Sequence, residues 1–480
     1  RHFPLNSGFQ NGPNRGRDVF IPMDHVIGGQ EQVGNGWRML VECLAEGRGV
    51  SLPALSTGAG KTTSRFTGAY ARVRKQFNLP IGYFEGIEEP LARIAGEAYV
   101  MDAARSITAA ALDSGEKPSV ISAIMKYELT ERMRQVVNDA MDIHGGSGIC
   151  LGPRNYIGRI YEVLPVSITV EGANILTRSL IIFGQGAVRC HPFIQKEMAA
   201  IAMEDSNTAT ELFDQALFAH IGFLFGNIAR ATWLALSNAR FVKVPGDHHT
   251  QTYYRQIARL SAGFALVADL ALVTLGGALK RKERLSGRFA DVLSNLYLCS
   301  AVLKHYENQG SNEEDLPLLN WGCRNTIHRA QQSLLAVFWN LPNPSLAWLV
   351  RSAIFPAGKP YAPPDDRVIH AAASVLLKDS GARDRLTQGI YLNSNENDPT
   401  GRIERAFRAV LAAEPVDKKI SQARRSGKLV SESQSELIDQ ALEAGIIDRE
   451  EAELARAAEL ATRDAISVDE FSPGFLSRAN

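Results

Sequence analysis

Ile168-Thr169-Val170-Glu171-Gly172-Ala173-Asn174-Ile175-Leu176-Thr177-Arg178 sets an apolar run against a carboxylate, a glycine and the start of a new helical pattern. Upstream, His144-Gly145-Gly146-Ser147-Gly148 closes another helical run. A glutamate beside a glycine is ordinarily no more than a helix start. Its meaning depends on the order of features around it.

Working outward, Trp37, Leu40, Val41 and Leu44 recur at helical spacing from Gly36 onward. Pro53 and the run Ser56–Thr63 predict an interruption, and the pattern resumes over Ala69–Phe77. Pro90 to Ser114 carries Leu91, Ile94, Ala95, Ala98 and Met101 on one face, and Pro118 suits the first turn of a helix reaching Ile143. A Gly- and Pro-bearing loop over 144–165 and a last helix over 172–183 complete the unit. Long helices with short connections predict an antiparallel bundle. Before it, residues 1–34 are rich in Gly, Pro and Asn, with one strand expected at Asp18–Pro22. Beyond Cys190-His191-Pro192 the chain is again helical, apart from a Pro-rich loop near 342–364.

Composition bounds the function class. The chain has 480 residues, 45% of them hydrophobic and 22% charged, as in ordinary globular protein. Its 52 basic residues balance 52 acidic ones, which argues against a bulk electrostatic grip on nucleic acid. Five scattered cysteines without a CxxC pair make a disulfide framework or a metal site unexpected and favour a reducing compartment. No run of about 20 apolar residues is evident. The best candidate, Leu212–Leu236, is interrupted by Asp214, His220 and Arg230 and reads as a buried helix.

Other motifs bear on chemistry. Gly58-Ala59-Gly60-Lys61-Thr62 lacks the earlier glycine of a P-loop, since Leu55 stands there, and no strand leads into it. Arg74-Lys75-Gln76-Phe77 supplies cations at a helix end, and also a bidentate phosphate donor, an amide and a stacking face suited to a dinucleotide. Three glycines after His144 exceed what a helix cap needs and suit close backbone approach to a ligand. Lys280-Arg281-Lys282-Glu283-Arg284 reads as solvated surface, or as an anchor for anionic lipid or a CoA phosphate.

The ordered set Asp18–Pro22, Gly34–Trp37, Glu46-Gly47-Arg48, Arg74–Phe77, Asp142–Gly148 and Val170-Glu171-Gly172 with Arg178 resembles the acyl-CoA dehydrogenase family over residues 14–185. Phe183 to Pro192 and the long helical tail resemble its large bacterial fatty-acid β-oxidation branch. The resemblance implies a mainly α fold: the end of a β domain at 1–34, a C-terminal helical bundle at 35–186 and a helical C-terminal extension at 187–480. It implies FAD-dependent conversion of medium- to long-chain acyl-CoA to trans-2-enoyl-CoA, with an electron-transfer flavoprotein as acceptor and a homodimer or homotetramer as the assembly. A cytoplasmic place, with peripheral contact at the inner membrane, goes with it.

On this mapping Glu171 is the base that takes the α-proton. Arg74, Gln76, Phe77, Asp142, Gly145 and Gly146 contact FAD, Arg48 and Gly172 contact substrate, and no metal is involved. Helix-start position favours the Glu171 carboxylate, while burial under flavin and acyl chain would strengthen it as a base. The family carries Gln, Thr and Gln where this chain has Asp142, Ala173 and Ile175. Some relatives carry the base immediately before the Arg48 position; that residue is Gly47 here, which leaves Glu46, one step away, as the alternative base. Relatives place a helical domain and most of a β domain before the point where this chain begins, so the chain alone is expected to bind flavin weakly or not at all and to be inactive. An acyl-CoA oxidase and a non-catalytic helical scaffold that has lost flavin are the rival readings.

Overall fold

Apolar periodicity between Gly36 and Gln185 produces a bundle of α1 (Gly36–Val73), α2 (Glu85–Asp113) and α3 (Ser119–His144), closed by α4 (Gly158–Thr169) and α5 (Asn174–Gln185). The structure, a computed structural model, describes residues 5, 12–116, 118–393, 395, 397–431 and 433–475, without the side chains of 37, 38, 41, 42, 44–46, 188 and 189. α1 runs unbroken for 38 residues, straight through Pro53 and Ser56–Thr63, so the expected interruption is absent. The reason is packing. Small residues let α2 approach closely: a Cβ on Gly60 would stand 2.4 Å from Met101 Cε. The hydroxyls turn back on their own helix, Ser56 Oγ donating to Leu52 O at 2.8 Å and Thr63 Oγ1 to Ala59 O at 2.9 Å. Lys61 is buried, paired with Asp102 at 2.9 Å and donating to Gln388 O at 3.0 Å. Nothing of a phosphate loop remains there.

A two-residue hairpin follows α1, with β1 (Lys75–Gln76) antiparallel to β2 (Leu79–Pro80). It is the only sheet among the described residues. The strand expected at Asp18–Pro22 does not form: the chain bends at Arg17 and Asp18, the latter at φ 50°, no strand pairs with the segment among the described residues, and Phe20 is 88% exposed. A single strand cannot satisfy its own ladder or bury a face.

The extension begins with α6 (Ile194–Ile201) and two long helices, α7 (Ser206–Leu236) and α8 (Gln251–Leu275). Helices α9 (Glu283–Asn308), α10 (Leu316–Phe338), α11 (Pro344–Ile354) and α12 (Asp366–Leu376) come next, and α13 (Pro399–Arg425), α14 (Gln434–Glu443) and α15 (Arg449–Ile466) end it. One continuous core joins Leu91, Met101 and Leu129 of the bundle to Phe289, Val302, Leu334 and Phe407 of the extension. A smaller core around Val416, Ile438 and Ala452 seats the last two helices on α13. A buried ion pair and a buried hydrogen bond cross the same seam. Arg65 of α1 meets Glu404 of α13, which also binds Arg383 at 2.9 Å, and Arg132 of α3 meets Glu97 and donates to Asn295 at 3.2 Å.

The reading of Leu212–Leu236 as a buried helix is overturned. α7 exposes Phe218, Phe225, Trp233 and Leu236, and the most apolar window of Ser206–Leu236 is only 17% buried. Among the described residues, two helices, Ser206–Leu236 and Gln251–Arg281, are long and apolar enough by length and composition to cross a membrane. Scattered charges hid this: Asp214 and Arg230 are spaced widely enough to leave an apolar stripe between them.

Candidate active site

Glu171 sits in the break between α4 and α5, whose axes bend by 47°. Its φ of 55° and the φ of 93° at Gly172 place two consecutive residues in the left-handed region. A glutamate held there is strained and persists only where its surroundings over-determine it. Those surroundings centre on Lys126 of α3, which is fully buried. Its Nζ donates to Ile168 O at 3.0 Å, Gly172 O at 2.8 Å and Asn174 Oδ1 at 2.6 Å. Thr177 Oγ1 adds a bond to Gly172 O at 3.2 Å. Asn174 Nδ2 in turn donates to Thr130 Oγ1 at 2.9 Å and Glu131 Oε1 at 2.8 Å. Burial, then the Arg48 charge, pushes the Lys126 ammonium down to about 8 against the pull of Glu171 and Glu131.

Arg48 of α1 closes the site from the other side. Its Nη2 lies 3.5 Å from the point a Cβ on Gly172 would occupy. Desolvation lowers its pKa and the Glu171 charge raises it. Glu171 Oε2 and Arg48 Nε are both buried without a hydrogen-bond partner. Each such orphan costs about 1–3 kcal/mol, so the pair is kept at the expense of stability. α5 is wound as a π-helix from Thr177 to Gln185, a form that recurs at functional sites. Its Arg178 is gripped by Asp291 of α9 through contacts of 2.8 and 2.5 Å, which fixes the start of the helix.

The remaining candidates gather elsewhere. Arg74 ends α1, Gln76 lies in β1, and Phe77 occupies the hairpin turn at φ 51°, 91% exposed. Asp142, Gly145 and Gly146 are exposed at the C-terminus of α3, where Gly145 adopts φ 54°, ψ −124° and open space surrounds both glycines. His144 is buried. It donates from Nδ1 to Ala140 O at 2.8 Å, accepts from Tyr156 at 2.8 Å and stacks on Tyr70 at 4.4 Å. Burial holds its pKa down to about 4, so it is a neutral pin between α1 and α3.

That stacking puts the hairpin and the glycine loop at one end of the bundle. Arg48 lies 26 residues before Arg74 on the same helix (74 − 48), about 39 Å away at 1.5 Å per residue. The structure therefore brings Glu171, Gly172 and Arg48 together and collects the other six residues at the far end of α1. The side chain of Glu46 lies outside the described residues. A cavity of about 930 Å³ is walled by Glu97, Glu128, Arg132, Arg178 and Asp291 together with Tyr127 and Ile175, and Glu171 is not among its walls. Lys126 escaped the sequence reading, although its place in line with Met133 and Val137 on an apolar helical face was the signal.

Comparison with known proteins resolves the ancestry of both halves. Residues 34–183 match the family model for the acyl-CoA dehydrogenase C-terminal domain, and residues 188–471, more than half of the chain, match that for the bacterial type of acyl-CoA dehydrogenase C-terminus. The chain belongs to the acyl-CoA dehydrogenase family.

Among acyl-CoA dehydrogenase relatives, it is 26% identical to the probable acyl-CoA dehydrogenase FadE10 of Mycobacterium tuberculosis over 323 residues, 63% of this chain and 46% of that protein. Another match, 61% identical to a protein named HemX from Proteus mirabilis, spans 69 residues, 14% of this chain and 41% of that protein. The chain thus spans under half the length of either relative. The fold is shared with an acyl-CoA dehydrogenase of Bacillus anthracis solved with FAD, at a TM-score of 0.53 and 18% identity over 69% of this chain and 55% of that one.

Proposed function

We propose that the chain is the catalytic C-terminal part of an acyl-CoA dehydrogenase that converts medium- to long-chain acyl-CoA to the trans-2-enoyl-CoA, with Glu171 as the base. The observation that carries this is the buried, unpartnered Glu171 Oε2 facing Arg48 across the Gly172 turn. A carboxylate oxygen with no donor of its own is free to take a proton from substrate carbon. Gly172 leaves the backbone open for a thioester, and the Arg48 cation favours the anionic groups of the substrate at the mouth of the site. Lys126 and Thr177 hold the turn still, so the carboxylate need not reorganise when the proton moves.

The family cofactor fits the second group of residues. Gly145 and Gly146 have open space above them, and Phe77 is presented outward at a strained φ that a purely structural turn would assign to Asn or Gly. Phe77, Gln76 and Arg74 would hold FAD with Gly145 and Gly146; Asp142 offers only acceptors where relatives offer an amide, so it fits less well. Bound FAD would supply the hydride acceptor for the β-carbon, with an electron-transfer flavoprotein as the proposed electron acceptor. The span of about 39 Å between Arg48 and Arg74 exceeds the reach of an extended dinucleotide. We therefore assign the hairpin end to the FAD of a neighbouring subunit, in a homodimer or homotetramer.

The test is Glu171→Gln in the full-length protein. FAD should remain bound while bleaching of the flavin by a long-chain acyl-CoA disappears. Bleaching at near the wild-type rate would sink the assignment and direct attention to Glu46. For its location we propose the cytoplasm, at the surface of the inner membrane, supported by the apolar face of α7.

A further inference from the structure

We propose that His191, His220 and Asp269 form a divalent-cation site of the zinc class at the seam between the bundle and the extension. His191 directly follows the last helical turn of the bundle (Gly186–Cys190), His220 lies on α7 and Asp269 on α8. One ligand atom from each falls within 4.8 Å of the other two. Two imidazoles and a carboxylate are a common zinc donor set, and an ion entering between His191 Nε2 and Asp269 Oδ1, now 2.9 Å apart, would spread that pair slightly and take its place.

His220 supplies the observation that points to a ligand. Its Nδ1–H is held by Glu197 Oε1 at 2.8 Å, which leaves Nε2 as a bare lone pair. The residue is 8% exposed, and Nε2 is buried with no partner. A carboxylate behind a histidine whose other nitrogen is free is the arrangement that orients metal-binding imidazoles. Asp269 is set in the same way: Asn227 Nδ2 holds Oδ2 at 2.7 Å, and Oδ1 faces His191 Nε2 at 2.9 Å.

His191 changes tautomer when the cation enters. Without metal its proton sits on Nε2 and bonds Asp269, while Nδ1 accepts long bonds from the backbone N–H groups of Phe193 and Ile194 at 3.3 and 3.2 Å. Coordination at Nε2 moves that proton to Nδ1, with no net release, and gives up those two contacts at the start of α6. A mostly apolar cavity of about 240 Å³, walled by Phe183, Phe223, Phe264 and Leu272, reaches His191 and Asp269 from the side of the bundle. The bound ion would tie α7 and α8 to the end of the bundle and raise stability by mass action.

The full chain, stripped with EDTA and desalted, is titrated with Co²⁺ and then Zn²⁺. The expected result is one Co²⁺ per chain with the intense visible absorption of a four-coordinate site, displaced by Zn²⁺, and a higher thermal midpoint with Zn²⁺. His220→Ala and Asp269→Asn should abolish the absorption, and Glu197→Gln should weaken binding about tenfold to a hundredfold. Replacing the adjacent pair His248 and His249 with alanine should change nothing. The proposal is overturned if the wild-type chain gives no such spectrum, or if His220→Ala, folded by circular dichroism, gives the same spectrum and affinity. Should His220→Ala not fold, the wild-type spectrum and the Glu197→Gln shift decide.

Discussion

Lys126 shows how one residue can govern a site without touching substrate. Three acceptors, two of them backbone carbonyls of the Glu171 turn, share its three N–H donors. With its pKa lowered to about 8, deprotonation takes one donor away near that pH. The sign of the two consequences differs. Between about 8 and 10.4 the unfolded chain holds this proton more tightly than the folded one, so the group's contribution to stability rises with pH. Order in the turn falls over the same range. The full-length enzyme should therefore lose turnover above about pH 8 without losing resistance to urea. Lys126→Met should lower kcat about tenfold or more, since a single hydrogen bond to a charged group is worth about 1.5–3 kcal/mol, and it should remove the alkaline limb of the profile. An unchanged alkaline limb in Lys126→Met would refute the role. His144 offers the acid counterpart. Its folded pKa of about 4 lies below the ordinary 6.5, so stability is present at neutral pH and is lost as pH falls from about 6.5 to 4. About 2 kcal/mol should disappear between pH 7 and 5, measured by urea unfolding, and His144→Gln should flatten that difference.

Elements differ in how far the sequence betrays them. The bundle helices were legible because Leu91, Ile94, Ala98 and Met101 repeat at the period of a buried helical face. The break assigned to Ser56–Thr63 was misread because glycine and hydroxyl residues that weaken an isolated helix are what allow α2 to come close in the folded one. Glu171 could be picked out from its glycine and the surrounding order of motifs, yet its left-handed backbone and the π-helix after it follow from the Lys126 and Asp291 contacts, which no local pattern encodes. The two glycines of the loop after α3 differ in conformation. Gly145, at φ 54° and ψ −124°, cannot take a Cβ without strain, so Gly145→Ala should cost about 1–3 kcal/mol in unfolding experiments. Gly146 has ordinary φ and open space, so Gly146→Ala should leave stability within about 0.5 kcal/mol while weakening FAD binding by the full-length protein. Equal FAD affinity in both Gly146→Ala and wild type would remove this loop from the cofactor site.

At the scale of the whole molecule, the extension is structural partner to the bundle and carries a surface of its own. Removing residues 190–480 would strip Trp321 from Gly96, Gly322 from Val100 and Phe289 from Phe183, and strand Arg132 and Arg178 without Asn295 and Asp291. With about 1.5–3 kcal/mol for each large apolar side chain returned to water, the truncated bundle should be insoluble rather than merely relocalised. The outer surface is a different matter. Phe218, Phe225, Trp233 and Leu236 of α7 are exposed, Phe241 stacks against Trp233 at 6.1 Å, and Arg230, Arg240 and Lys243 stand exposed beside them. Apolarity alone could not reveal this, because a run such as Leu212–Leu236 reads the same whether its face meets a core or lies open. Aromatic side chains flanked by cations suit the headgroup region of an anionic bilayer. Full-length protein should float with vesicles containing anionic lipid, less so as salt is raised. The triple substitution Phe218→Ser, Phe225→Ser, Trp233→Ser should abolish flotation with the thermal midpoint unchanged, since these side chains are already exposed. If the wild type does not float and the triple variant instead changes its sedimentation, the face belongs to another copy of the chain and the membrane assignment fails.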